Sequence, residues 1–165
     1  MVHNSSLANL YGAYANADWG VYNAISNGGN RKGMWRTLTK EEWGYLFYKR
    51  DNAPSLRTRA LVEGVSGYLL LPDDWNGSSV SDAAKFDTYC YSASQWRIME
   101  SEGAVFLPCA GSRVEDLALP VSKGYYWSSS CDVGDAYCLY FYDDYTNPSY
   151  SCYRYYGLSV RLVYE

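Results

Sequence analysis

The polar and apolar positions separate most cleanly in the last quarter of the chain. Leu139 and Phe141 alternate with Cys138, Tyr140 and Tyr142, the two-residue period of a strand with one buried face. Leu158, Val160 and Leu162 alternate in the same way with Ser159, Arg161 and Val163. Asp143, Asp144, Thr146, Asn147 and Pro148, lying between the two patterns, are turn formers. The region therefore predicts antiparallel strands whose apolar rungs point inward, with Tyr, Asp, Ser, Asn and Cys on the outer face and in the loops.

Upstream the period changes. Thr39-Lys40-Glu41-Glu42 is a capping box, in which Thr39 caps the amide of Glu42 and Glu42 reaches back. Leu38 and Trp43 take the positions of a hydrophobic staple, and Trp43, Leu46 and Phe47 form one apolar stripe. Lys49 and Arg50 suit the negative end of that helix. Val62 to Leu71 reads as a single strand ended by Pro72, and Asp73 to Ser79 as a loop. The loop's acidic pair lacks the ligand ladder of a calcium-binding hand and reads as a solvated turn. A second helix starts at Ser92, with Gln95 at the capping-box position, Trp96 and Met99 toward the core, and Gly103 just past its end. Ala104 to Pro108 is a short buried strand, and Cys109-Ala110-Gly111 suggests close backbone approach. Arg113 to Lys123 reads as an irregular link, Asn27 to Asn30 as a turn, and Trp19 as a core aromatic. Helix, strand, helix and then a run of strands predict one α+β domain over residues 1–165 with no internal repeat.

Composition sharpens this picture in one place. More than half of the 19 tyrosines fall between Tyr125 and Tyr164, together with three of the five cysteines. From Ser128 to Val163 there is no Lys, Glu, Gln, Met or Trp, although the rest of the chain uses all five. Strand preference accounts for Tyr140 and Tyr142. It does not account for Tyr145, Tyr150, Tyr153, Tyr155 and Tyr156, which the pattern puts in or beside loops. Tyrosine with Ser, Gly and Asn is the mixture of antibody binding loops, where a rigid ring with a polar tip gives contact at low entropy cost. A binding surface is the expectation.

Other classes recede. The formal net charge of −4 argues against nucleic acid as partner. The longest apolar stretch, Tyr68 to Pro72, is strand-sized, so no membrane-spanning segment is expected. Met1-Val2-His3-Asn4 has neither the basic flank nor the apolar run of a signal peptide. Cys131, Cys138 and Cys152 lack zinc-like spacing, and His3 is the single histidine. Mechanisms that need a histidine base in the core are thus excluded. Neither a cofactor, a metal nor a catalytic residue is expected.

Five segments in order carry a resemblance: Asp18 to Asn30 (DWGVYNAISNGGN), Trp35 to Trp43 (WRTLTKEEW), Gly103 to Arg113 (GAVFLPCAGSR), Tyr125 to Ser129 (YYWSS) and Gly157 to Val163 (GLSVRLV). Together they resemble the gut-bacterial group related to the Fibrobacter succinogenes major paralogous domain, within the C-type-lectin-like and formylglycine-generating-enzyme-like fold. That group usually has Ala where this chain has Cys109. The resemblance implies two helices packed on small antiparallel sheets and a long, loop-rich C-terminal half.

Within that group the tyrosine-rich segment, about residues 128–156, is similar to the variable region of diversity-generating retroelement proteins. Those systems replace template adenines by any base. An AAC or AAT codon so altered never yields Lys, Gln, Glu, Met or Trp, the five types missing here. The resemblance implies a scaffold of Ala136, Leu139, Phe141, Arg154, Gly157 and Leu158 onward. It implies diversified, ligand-binding positions at Asp132, Asp135, Tyr137, Tyr140, Tyr142, Asp143, Asp144, Tyr145, Asn147, Tyr150, Cys152, Tyr153 and Tyr155. The implied role is non-catalytic capture of an unknown protein or a surface glycan, on a bacterial cell surface or a phage tail. Calcium-dependent sugar binding is not implied: Trp75-Asn76-Gly77 only approaches the usual W-N-D, and E-P-N or Q-P-D is absent. Two alternatives stand beside it. One is a copper oxidase of the formylglycine-generating type, to which Ser151-Cys152-Tyr153-Arg154 is similar, although the next cysteine, Cys138, is far upstream. The other is a structural surface module with a fixed partner.

Overall fold

A computed structural model describes residues 18–76, 90–132 and 134–164, with Trp19 described by its backbone alone. The expectations for His3, for the end of the Asp73–Ser79 loop and for the side chain of Trp19 lie outside the described residues. The fold is a mixed α+β arrangement of small, mostly antiparallel sheets with few helices. Among the described residues no helix is long and apolar enough to cross a membrane.

After a four-residue helix α1 (Trp19–Tyr22) and strand β1 (Trp35–Thr37), helix α2 (Lys40–Gly44) starts where its capping box predicts. Thr39 Oγ1 accepts from Glu42 N–H at 3.1 Å, and the Glu42 carboxylate accepts from Thr39 N–H at 2.8 Å. Arg36 then clamps the same carboxylate from both of its terminal nitrogens, at 2.8 and 2.6 Å. The helix continues as a π turn over Tyr45–Lys49. Trp43 and Phe47 are buried, as the staple and stripe predict. Arg50 does meet the last turn, donating to Leu46 O at 2.9 Å, yet it also donates to Leu71 O and Leu56 O. It is 6% exposed, a buried cation that ties the helix end to two other segments.

The stretch expected as one strand from Val62 is a hairpin. Strand β2 (Arg57–Val62) turns at Glu63-Gly64 into β3 (Val65–Leu70). Both turn residues have positive φ, 51° and 81°, the geometry of a tight two-residue hairpin turn. Glutamate at the first turn position hid it, since Asn or Asp is the usual signal. Strands β4 (Cys90–Tyr91) and β5 (Val105–Pro108) complete a sheet of order β4-β2-β3-β5. Helix α3 (Ala93–Ser101) has the predicted Ser92–Gln95 capping box and stops at Gly103, whose φ is 91°. Met99 and the partly buried Trp96 pack it onto this sheet.

The link expected to be irregular holds a small hairpin, β6 (Arg113–Val114) and β7 (Leu117–Ala118). Then come the long strands β8 (Gly124–Cys131), β9 (Ala136–Tyr142) and β10 (Tyr145–Cys152), in the order β10-β9-β8. Asp143-Asp144 alone make the second turn; Thr146, Asn147 and Pro148, expected in it, are strand residues. Short β11 (Tyr156–Gly157) pairs with β6, and β12 (Leu162–Tyr164) with β1. The second alternating pattern is corrected here. Val160 is 53% exposed, while Val163, expected outward, packs on the main core. Only Leu162–Tyr164 is strand, because the chain must cross from β8 to β1 first.

The main core forms where α2 lies between the two larger sheets. Leu38, Trp43 and Phe47 meet Tyr68, Leu70 and Leu107 of one sheet, and Tyr126, Leu139 and Phe141 of the other. Strand β9 is thus buried on the predicted rungs, Leu139 and Phe141. It is buried on its other face as well, where Cys138 and Tyr140 lie in a separate cluster.

Candidate functional site

Residues directly opposite one another in an antiparallel pair share a face. Tyr140 lies between Tyr125 of β8 and Asn147 of β10, and Tyr142 lies opposite Tyr145. Cys138 lies between Trp127 and Tyr150, and Ala136 opposite Cys152. One face of the sheet, turned away from the main core, therefore gathers Tyr140, Tyr142, Tyr145, Asn147, Tyr150 and Cys152.

A bulge makes this possible. Two residues, Pro148 and Ser149, separate Asn147 from Tyr150, while one residue separates Tyr140 from Cys138. The extra residue reverses the parity of β10, so even-numbered Tyr150 and Cys152 join odd-numbered Tyr145 and Asn147. Proline at the bulge withholds no amide that the ladder needs.

The rings form a connected array. Tyr140 is its hub, with centroids 4.7 Å from Tyr125, 5.5 Å from Tyr142, 5.9 Å from Tyr145 and 4.6 Å from Tyr150. Lys123 places its ammonium over Tyr142 at 5.4 Å and over Tyr140 at 5.9 Å. Burial, reinforced by Tyr140, pushes the Tyr125 phenol well above its ordinary pKa. Burial, then Cys152, also raises the Tyr150 phenol. These phenols stay neutral donors over the physiological range, apolar in body and polar at the tip.

Tyr153 and Tyr155 form a second patch, stacked at 5.3 Å and 9°. Tyr156 stands edge-on to both. It also packs on the cluster of Cys138, Tyr140 and Cys152, which joins the two patches.

Two expected surface positions need correction. Tyr140 is 7% exposed and Cys152 3%, so both are floor. The chain returning after β10 lays Tyr156 and Leu158 over this part of the sheet, which a strand pattern alone does not reveal. The display falls to Tyr142, Tyr145, Tyr150, Tyr153 and Tyr155, all exposed, with half-buried Asn147 between them.

The remaining candidates lie off this face. Tyr137 has the opposite parity and sits beneath the Lys40 ammonium of α2, 3.9 Å from its ring centroid. Its hydroxyl donates to Asp132 at 3.3 Å. Asp132 and Asp135 flank the β8–β9 turn at one end of the sheet. There Arg154 donates to both backbone carbonyls, and Ser151 Oγ donates to the Asp135 carboxylate at 2.6 Å. Asp143 and Asp144 are at the other end, each 3.6 Å from Arg59 of β2. A cavity of about 550 Å³, lined among others by Arg57, Arg59, Tyr68, Cys90 and Asp144, opens beside β2.

The sequence pattern does not single out Lys123 and Trp127 as parts of the site. Lys123 is a solitary cation just before the tyrosine-rich stretch, a usable signal; Trp127 follows only from register. Nor does the pattern reveal a convergence. Cys138 and Cys152, well separated in sequence, bring their Sγ atoms to 3.0 Å. Contact with Cys152, then burial, pushes the Cys138 thiol far above its ordinary pKa. Among the described residues no group of three or more His, Cys, Asp or Glu is placed to hold a metal.

Compared with known proteins, the chain matches no family model, no curated protein and no solved structure.

Proposed function

We propose that this is a non-catalytic ligand-binding protein of C-type-lectin-like fold, whose tyrosine-rich face is diversified by a retroelement. One observation carries the reading. Tyr142, Tyr145 and Tyr150 gather on one accessible side of a sheet whose opposite side is core, and the exposed pair Tyr153 and Tyr155 forms a second patch joined to it through Tyr156. Exposed ring arrays of this kind are enriched where proteins grip other molecules. Substitution at these positions leaves Leu139 and Phe141 in place, so the frame tolerates variation. The absence of Lys, Glu, Gln, Met and Trp from the segment supports an adenine-directed origin for that variation. The ligand is a protein or a surface glycan, met at a bacterial cell surface or a phage tail.

The gene tests the origin. An AAY-rich template copy nearby, and C or T in the third position of the variable codons, are expected. Absence of either refutes it. The binding role is tested by screening bacterial surface proteins and glycans with the protein and with a Tyr142→Ser/Tyr145→Ser/Tyr155→Ser variant. Binding that is indifferent to the triple substitution refutes the face as the site.

The convergence of Cys138 and Cys152 favours one alternative, a copper oxidase of the formylglycine-generating type. Burial of both residues weighs against it, because a substrate thiol has to reach the metal. Stoichiometric Cu(I) binding with peptide oxidation establishes the oxidase and removes the first reading. A tyrosine face constant between alleles indicates a fixed partner.

A further inference from the structure

Cys138 lies in the middle of β9 and Cys152 at the end of β10. Their register partners are Tyr150 and Ala136, so the two cysteines are diagonal neighbours on one sheet face. The sulfurs are 3.0 Å apart. Two thiolates on one tetrahedral zinc stand about 3.8 Å apart. Sulfurs in a disulfide stand about 2.05 Å apart. The separation is shorter than that of two thiolates on one zinc, and within about 1 Å of bonding distance. The surroundings agree. Tyr125, Trp127, Tyr140, Tyr156 and Leu158 enclose the sulfurs and bring no carboxylate or imidazole as a further metal ligand.

We propose that Cys138 and Cys152 form a cross-strand disulfide that clamps β10 to β9 beneath the tyrosine face. The oxidant is a donor disulfide, such as oxidised glutathione or the active-site disulfide of an oxidoreductase. One cysteine thiolate attacks a donor sulfur, forming a mixed disulfide and releasing the first donor thiol. The second cysteine thiolate then attacks the protein sulfur of that mixed disulfide. The Sγ–Sγ bond forms and the second donor thiol leaves. Two electrons pass to the donor, and the two protons given up by the cysteines end on its two thiols. The bond forms before the sheet closes, because packing leaves both thiols inaccessible and holds Cys138 protonated.

The clamp closes the loop of residues 138–152 and fixes Tyr145 and Tyr150 relative to Tyr140 and Tyr142. A face fixed before binding loses less freedom on contact. The disulfide does not depend on the ligand-binding reading and stands or falls separately.

The test uses the full chain, unfolded with reductant, refolded in a glutathione redox buffer, alkylated in denaturant and digested without reduction. Mass spectrometry is expected to find Cys138 linked to Cys152, with Cys90, Cys109 and Cys131 alkylated. Reduction is expected to lower Tm by roughly 6–12 °C. Should refolding fail, the same alkylation map on protein isolated from an oxidising compartment decides the matter. Alkylation of both cysteines, pairing of either with a different cysteine, a metal held by the pair in the native mass spectrum, or a Tm unmoved by reduction overturns the proposal.

Discussion

The ring of Phe141 occupies the space that a side chain on Gly124 would need. A Cβ there would sit 2.0–2.5 Å from three ring carbons of Phe141, directly across the β8–β9 ladder. The missing side chain admits the largest rung of β9, and that rung carries the main core against Tyr68 and Tyr126, at ring centroid distances of 5.1 and 6.1 Å. Gly124→Ala is expected to destabilise the fold by about 1–3 kcal/mol through overpacking. Phe141→Leu, itself destabilising, is expected to cost less in the Gly124→Ala background than alone. Denaturant unfolding of the four proteins of the cycle measures the coupling. Additivity of the two changes would mean that the contact is not shared.

Glu42 gives the fold a defined acid sensitivity. Hydrogen bonds from Arg36, chiefly, hold its pKa at about 2, below the 4.5 of an unperturbed glutamate, with lesser help from Thr39. A carboxyl depressed in the folded state stabilises fully above the unfolded pKa and loses that contribution as pH falls through the folded one. The window is therefore pH 4.5 down to about 2. The side chain is 37% exposed, so solvent screening leaves a contribution of about 1 kcal/mol. Glu42→Gln is expected to be less stable than the parent by that amount at pH 7 and equal to it below pH 2. Urea unfolding across this range tests it, and a constant gap at all pH values would contradict the assignment.

Arg50 is a buried cation with three backbone carbonyl acceptors, on Leu46, Leu56 and Leu71, and an ion pair at 3.1 Å to Asp73. Arg50→Ala is expected to cost about 3 kcal/mol, because those carbonyls lose their donors inside the protein. Arg50→Lys should recover only part of this, since one ammonium cannot span all three. Asp73→Asn should change stability by less than about 1 kcal/mol, as that carboxylate is 67% exposed. Comparable losses for Arg50→Ala and Asp73→Asn, measured by chemical denaturation, would show the ion pair rather than the carbonyls to be dominant.

Floor and display tyrosines should behave differently. Tyr142→Ser, Tyr145→Ser and Tyr155→Ser remove exposed rings and are each expected to cost under about 1 kcal/mol. Tyr140→Ser removes the hub ring and is expected to cost about 3 kcal/mol. Thermal melts of the four single variants make the comparison. A loss at Tyr142 or Tyr145 equal to that at Tyr140 would mean that the outer rings are structural.

Local signals in the chain translated well into structure. The capping boxes at Thr39 and Ser92, the staple of Leu38 on Trp43 and the rungs Leu139 and Phe141 involve residues a few positions apart, where geometry follows directly from spacing. The hairpin at Glu63-Gly64 was missed because its turn lacks the usual asparagine or aspartate. Burial of Tyr140 and Cys152 was missed for a different reason. It depends on Tyr156 and Leu158 returning over the sheet, a tertiary event with no local period. The resemblance implies an outer position for Tyr137, whereas its parity places it with Leu139 and Phe141, beneath α2. Composition located the tyrosine array, and register decided which of its members show.

The extra residue at Pro148-Ser149 has a consequence for how this segment can change. Each half of β10 keeps its own phase, and the two halves agree only because one surplus residue lies between them. Exchanging one amino acid for another in either half leaves that agreement intact. Deleting a single codon there would rotate Tyr150 and Cys152 toward the interior and bring their neighbours out. Changes of residue on the exposed face of the strand therefore keep both halves in phase, while a change of length by one residue does not.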